Sequence, residues 1–197
     1  MTDALVVSNV LLWVVVLALL VAVLALARQV GILYERVAPM GALMLDHGPK
    51  VGEAAPVLAL ESIGGGKVAI GLTQGKRSQL IFFLSPTCPV CKKLLPILKS
   101  IKGSESAWLD VVLASDGDLP EHAAFHGKAK LAAFPYVLST ELGMAFRVSR
   151  LPYAVLIGED GRVRAKGLVN SREQLESLFA AKELGVASVQ EFIDQLA

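Results

Sequence analysis

The pattern of apolar and polar positions divides the chain before any single residue is considered. From Ala4 to Ala27 the sequence is apolar and uncharged on every side, over roughly the ~20 residues an α-helix needs to cross a bilayer. The pattern then breaks at Arg28. Between Arg28 and Lys50 apolar residues such as Val30, Ile32, Leu33, Met40 and Leu43 are scattered without a sustained period, which predicts a connector packed on a membrane surface or on the domain. From Val51 onward short apolar runs alternate with amphipathic stretches. Val57–Leu60 and Val68–Ile70, split by Gly64-Gly65-Gly66-Lys67, predict a β-hairpin. Gln79–Leu84 is apolar almost throughout, as a central strand covered on both faces requires. Lys92–Lys102 places Leu94, Leu95, Leu98 and Ile101 at helical spacing, with Gly103 set to end the helix.

The remaining elements follow in the same way. Trp108–Ala114 predicts a strand, Leu119–Ala132 a helix, Tyr136–Leu138 a short strand and Glu141–Arg147 a brief helix, an alternation that implies parallel βαβ pairing. Tyr153–Ile157 and Val163–Gly167 predict a second hairpin around Gly158-Glu159-Asp160-Gly161-Arg162, and a final amphipathic helix after Ser171 carries Leu175, Leu178 and Phe179 on one face. The boundaries are 1–27 for the anchor, 28–50 for the connector and 51–197 for one α/β domain.

Composition sharpens three points. Hydrophobic residues make up 54% of the chain, more than a water-soluble domain carries, which fits an apolar N-terminal anchor set in a lipid bilayer through residues 4–27. A cleaved signal peptide competes, since Ala25-Leu26-Ala27 has a small-residue cleavage pattern, but the run is long and no basic residue precedes it. The net charge is +1 and no basic cluster is interleaved with aromatics, which argues against nucleic acid as a partner. Arg28 and Arg36 after the apolar run favour a cytoplasmic domain by the positive-inside rule, although large following domains translocate despite modest flanking charge.

The chemistry concentrates at Cys88-Pro89-Val90-Cys91, which holds the two cysteines of the sequence. Two thiols at this spacing, at the start of a helix, can close a small disulfide, and the helix N-terminus stabilises a thiolate on the first. Cys88 is the expected nucleophile and Cys91, one turn on, the more buried resolving thiol. No cofactor is needed beyond this redox-active disulfide. Half a zinc site is the competing reading, with His122 and His126 as further ligands, but the gap between the pairs is long and two solvent-facing histidines are the simpler account. His47 has no evident partner. A peroxidase reading finds its upstream hydroxyl in Ser85 but has Ile81 where a proline belongs.

The stretch from Phe82 to Pro96 resembles the active-site strand, turn and helix of the thioredoxin superfamily. Pro96 matches the proline that family carries inside the helix after the second cysteine, at a position that ordinarily costs about 3 kcal/mol. Leu151-Pro152-Tyr153 resembles its cis-proline loop. The resemblance implies a thioredoxin-like fold, a central mixed sheet flanked by helices, with Pro89, Val90, Pro96, Leu151 and Pro152 supporting the cysteines. The chain departs from it in two ways: Phe82 and Phe83 stand where a thioredoxin buries an aspartate, and no tryptophan precedes Cys88.

The anchor, the connector RQVGILYERVAPMGALM, the stretch GPKVGEAAP and SPTCPVCKKLLP together resemble the MauD family of methylamine dehydrogenase accessory proteins. That resemblance implies a thiol-disulfide oxidoreductase or isomerase held at the inner membrane by a single pass, its domain in the periplasm. It also implies the exported small subunit of methylamine dehydrogenase as client and the membrane protein MauE as redox partner. A client-specific chaperone or docking factor without redox turnover, and a periplasmic thiol reductase for another client, are the alternatives.

Overall fold

The structure is a computed structural model and describes residues 2–36, 48–71 and 77–184. The chain divides into two compact units, Met1–Leu45 and Asp46–Ala197. The first contains one helix, α1 (Thr2–Arg36), which extends past the end of the apolar run at Ala27 into the first residues predicted as connector. Its segment Val6–Leu26 has a mean hydropathy of 2.9 and none of it is buried. Trp13 and the surrounding valines and leucines are exposed on every face. Such a helix, apolar all round and uncovered by protein, is long and apolar enough to cross a membrane. The remaining connector positions Met40, Leu43, Met44 and Leu45, together with His47, lie outside the described residues.

The second unit opens with a hairpin, β1 (Leu58–Glu61) and β2 (Lys67–Ile70), paired antiparallel with Leu58 opposite Ile70. Five strands form the main sheet: β3 (Ser78–Phe83), β4 (Leu109–Ser115), β5 (Tyr136–Leu138), β6 (Tyr153–Ile157) and β7 (Val163–Leu168), in the order β5-β4-β3-β6-β7. β3, β4 and β5 run parallel, whereas β6 and β7 are antiparallel to their neighbours, so the sheet is mixed as expected. Among the described residues of this unit the helices are α2 (Pro89–Ser104), α3 (Leu119–Lys128), α4 (Thr140–Ala145) and α5 (Arg172–Leu184).

Every residue of β3 is buried, because β4 and β6 flank it and apolar clusters cover both faces. Leu80 and Phe82 pack with Leu94, Leu98 and Ile101 of α2 and Leu175 of α5. Ile81 and Phe83 point the other way, into a cluster with Ile70 of the hairpin and Leu142 and Phe146 around α4. The alternation of period two within a continuous apolar run thus supplies two cores. Gln79, the polar member of the run, uses its amide to tie the hairpin to the sheet: Nε2 donates to the Ala69 carbonyl at 2.9 Å and Oε1 accepts from the Gly71 amide at 3.4 Å.

Helix ends differ from the sequence reading in two places. α2 starts at Pro89, whose ring suits the first helical position, and passes through Gly103 to a cap at Glu105, whose amide donates to the Ile101 carbonyl. α3 stops at Lys128 instead of Ala132, and Lys130 follows with φ of 53°. That left-handed residue turns the chain so that Leu131 and Phe134 enter the core before β5. Truncation of Leu98, which is fully buried beneath α2, is expected to destabilise the domain by about 2–5 kcal/mol, read as a lower denaturation midpoint of Leu98→Ala by tryptophan fluorescence.

Candidate active site

Sheet order places the chemistry at the carboxyl end of β3. After Phe83 the strand gives way to Leu84, whose amide still bonds the Ala114 carbonyl at 3.0 Å and whose carbonyl accepts from the Ser115 hydroxyl at 2.7 Å. The chain then turns. Ser85 accepts the Thr87 amide through its hydroxyl at 3.3 Å, and its carbonyl accepts the Cys88 amide at 3.1 Å. These local bonds deliver Cys88 to the N-cap of α2 with φ of −77° and ψ of 112°.

Cys88 and Cys91 form a disulfide, with Cα atoms 5.3 Å apart. The two sulfurs occupy different surroundings. Cys91 is completely buried among Leu84, Leu94 and Leu95, whereas Cys88 is half-buried at the rim of the same cluster, beside Val90. Cys88 Sγ accepts the Cys91 amide at 3.1 Å, which satisfies one of the free N–H groups at the helix start. The first turn of α2 carries no acid, and the exposed Lys92 and Lys93 follow. A helix start of this kind favours negative charge. Pro96 lies inside α2 on its exposed side, where it leaves the Lys92 carbonyl without an intrahelical donor.

Leu151-Pro152 is a cis peptide immediately before β6. Antiparallel pairing sets Tyr153 opposite Phe83, so the start of β6 and the end of β3 meet at the same end of the sheet. Pro152 is buried and its carbonyl accepts the Val169 amide at 3.2 Å, while Leu151 is 38% exposed. A cleft of about 230 Å³ lies here, bounded by Phe83 and Leu84 on one side and by Ser149, Arg150 and Leu151 on another. The residues singled out in the sequence on either side of the turn are thus gathered at one end of one sheet.

The Redoxin family model matches residues 50–182, most of the second unit. The methylamine utilization protein MauD of Methylorubrum extorquens is 50% identical over 190 residues, covering 96% of this chain and 92% of that protein. The MauD of Paracoccus denitrificans is 47% identical over 194 residues, covering 98% and 96%. The chain belongs to the MauD family. Among solved structures, a protein from Chlorobium tepidum described as a thiol:disulfide interchange protein DsbE superposes with a TM-score of 0.62 at 19% identity, over 68% of this chain and 99% of that one. StoA from Bacillus subtilis does so with a TM-score of 0.54 at 23% identity, over 63% and 95%. At such identities the likeness establishes a thioredoxin-like fold.

One group of residues in this MauD-family domain escaped the sequence reading. Of His122 and His126, read as two solvent-facing histidines, the first is buried and the second half-buried. His122 is 2% exposed and its Nδ1 lies 2.6 Å from the Tyr136 hydroxyl. The His126 ring stacks on the same tyrosine with centroids 6.3 Å apart, and its Nε2 is buried without a hydrogen-bond partner. Their spacing of four on a helix was visible, but the tyrosine that draws them inward lies on another strand. Both cysteines are joined in the disulfide, and among the described residues no group of three or more His, Cys, Asp or Glu is gathered where it could hold a metal ion.

Burial pushes the Tyr136 phenol up to about 12, with the Ser115 hydroxyl acting in the opposite direction and the Glu121 charge adding to the rise. Its ordinary value is near 10, so the unfolded chain ionises first as pH rises. The stability this phenol contributes is complete below pH 10 and is lost between pH 10 and about 12. Equilibrium unfolding across that window is expected to show a loss on the order of 2–3 kcal/mol that is absent in Tyr136→Phe.

Proposed function

We propose that this MauD-family protein is a thiol-disulfide oxidoreductase or isomerase that assists disulfide formation and maturation of the exported small subunit of methylamine dehydrogenase. The observation that carries the reading is the asymmetry of the disulfide: Cys88 half-buried at a helix N-cap, Cys91 fully buried behind it. The names of its relatives supply methylamine utilization.

The chemistry follows from that asymmetry. A client thiolate attacks the accessible Cys88 Sγ, the Cys88–Cys91 bond breaks, and Cys91 leaves as a thiolate that takes up a proton. A second client thiolate then attacks the client sulfur of the mixed disulfide, and Cys88 departs as the thiolate favoured by the helix start. Two electrons pass from client to enzyme, and a membrane redox protein such as MauE is the proposed agent that reoxidises the pair. In isomerisation the reduced Cys88 attacks an incorrect client disulfide and is later expelled without net transfer. Pro89 starts the helix, Val90 packs against the apolar cluster that holds Cys91, Pro96 lies within the same helix, and Leu151 and Pro152 precede β6 at the same end of the sheet.

The apolar span of α1 is the proposed single-pass anchor in the inner membrane, with the domain on the periplasmic side, where an exported client and an oxidising environment are found. Alkaline phosphatase fused after Ala197 is expected to be active. Activity of a cytoplasmic reporter at that junction, with an inactive phosphatase, would instead support the orientation favoured by Arg28 and Arg36.

Loss of the resolving thiol should trap the client. Cys91→Ser is expected to accumulate a mixed disulfide on Cys88 that contains the methylamine dehydrogenase small subunit, identified by mass spectrometry of the reducible adduct. Cys88→Ser is expected to form no adduct and to abolish maturation. A docking factor without redox turnover would keep maturation intact in Cys88→Ser, and a thiol reductase for another client would yield a different trapped protein.

A further inference from the structure

Positive charge is concentrated on the helix that carries the disulfide. No Asp or Glu occurs between Glu61 and Glu105, nor between Glu121 and Glu141. The first interval contains the whole of α2, and the second contains most of α3 and the turn after it. Helical spacing gives α2 an apolar buried side and an exposed row of Lys92, Pro96, Lys99 and Gly103 that starts one turn after Cys88, with the exposed Lys93 beside it. Lys99 Nζ donates to the Ala129 carbonyl at 2.8 Å, which joins the row to the end of α3, where Lys128 and Lys130 are exposed. On the flank of α2, the half-buried Lys102 holds its ammonium 5.0 Å from the centre of the Phe134 ring.

None of these six lysines forms an ion pair among the described residues. Of the acids that bound the face, Glu105 accepts from the Trp108 indole and the Ser104 hydroxyl, and Glu121 lies at the opposite end of α3. Six of the 19 lysines and arginines thus stand together without an acid between them, so the rest of a chain of net charge +1 carries an excess of Asp and Glu. Like charges gathered in this way repel one another, and an acidic surface laid against them removes that repulsion. A face that binds lipid would combine its lysines with exposed apolar side chains. Among the described residues, the large exposed apolar side chains of this unit belong to Val57, Leu119, Met144 and Leu151, none of them on α2 or at the C-terminal end of α3.

We propose that the lysine face of α2 and the end of α3 is a docking surface for an acidic protein segment that flanks the cysteines exchanging with Cys88. The inference rests on the oxidoreductase reading and names the chemistry of the partner that reading requires. Each exposed pair across such a face contributes little by itself. The summed field of six like charges raises the encounter rate of an acidic partner and turns away a basic one, and salt screens both effects. Selection among clients therefore acts at encounter, before any sulfur reaches Cys88.

The test uses the oxidised full chain in a neutral detergent and two dithiol peptides, one with glutamates flanking its cysteines and one with glutamine at each of those positions. In the reaction the peptide loses two electrons and two protons as its disulfide closes, and the Cys88–Cys91 pair gains them. The acidic peptide is expected to react about tenfold faster at low ionic strength, with the advantage lost near 0.5 M salt. The readout is the ratio of acidic to neutral rates within each variant, so that a change in the disulfide itself cancels. Lys99→Gln/Lys128→Gln/Lys130→Gln, whose sites lie away from the sulfurs, is expected to cut the ratio to about threefold. Lys128→Gln/Lys130→Gln keeps the Lys99 bond to Ala129 and gives the same direction of change should the triple variant not fold. A ratio of one in the wild type, or a ratio unmoved in the folded variants, would overturn the proposal. So would protection of these lysines from acetylation in nanodiscs of anionic but not neutral lipid, which would assign the face to a membrane. Loss of exchange with both peptides would instead sink the oxidoreductase reading and the proposal with it.

Discussion

The sealing of β3 is the constraint from which the site follows. With β4 and β6 on its edges and separate apolar clusters on its two faces, the strand offers no side to a partner. Its carboxyl end leads into the partly exposed turn from Ser85 to Cys88, and in sheets of this kind that is where loops can carry chemistry. The Ser85–Thr87 turn converts the strand end into a helix start within a few residues, so the cysteines sit on a support that cannot shift without disturbing both cores. Parallel pairing on one edge and antiparallel pairing on the other bring the Leu151-Pro152 loop to the same end.

The same seal sets the electrostatics. A strand covered on both faces cannot hold an unpaired charge cheaply, and Phe82 belongs to the apolar surroundings of Cys91. Polar groups survive only where the strand ends supply partners: Gln79 against the hairpin at one end, Ser115 against Leu84 at the other. The His122 and Tyr136 pair occupies the next position outward, where β5 is only three residues long and α3 closes over it.

Much of this was legible in the sequence because it rests on local signals. The period-two pattern of β3, the glycines between β1 and β2, and the spacing of Leu94, Leu95, Leu98 and Ile101 each reflect a single element's own geometry. Pro96 and Pro152 were informative because proline in such places is costly without a reason. What was missed depends on contacts between elements. His122 and His126 look polar and solvated on a helix until Tyr136, on a separate strand, supplies a hydroxyl and a ring face. α3 ends early because Lys130 adopts a left-handed conformation, and a lysine gives no warning of that where a glycine would. Gly103 suggested a stop, but a glycine in the last turn is tolerated when the following residue completes the cap.

The surroundings of the two sulfurs also bear on the direction of exchange. A dithiol pair becomes more oxidising as its reduced form is stabilised, and the strongest such stabilisation acts on a thiolate. Here Cys88 Sγ accepts the Cys91 amide at the start of α2, whose first turn carries no acid, and a helix end of this kind favours negative charge. Cys91 lies deep in the apolar cluster, surroundings that disfavour charge. A buried acid beneath Cys91 would instead ease formation of the attacking thiolate in a reductase, and its replacement by Phe82 removes that aid. The same apolar strand thus seals Cys91 and leaves Cys88 half-buried at the rim.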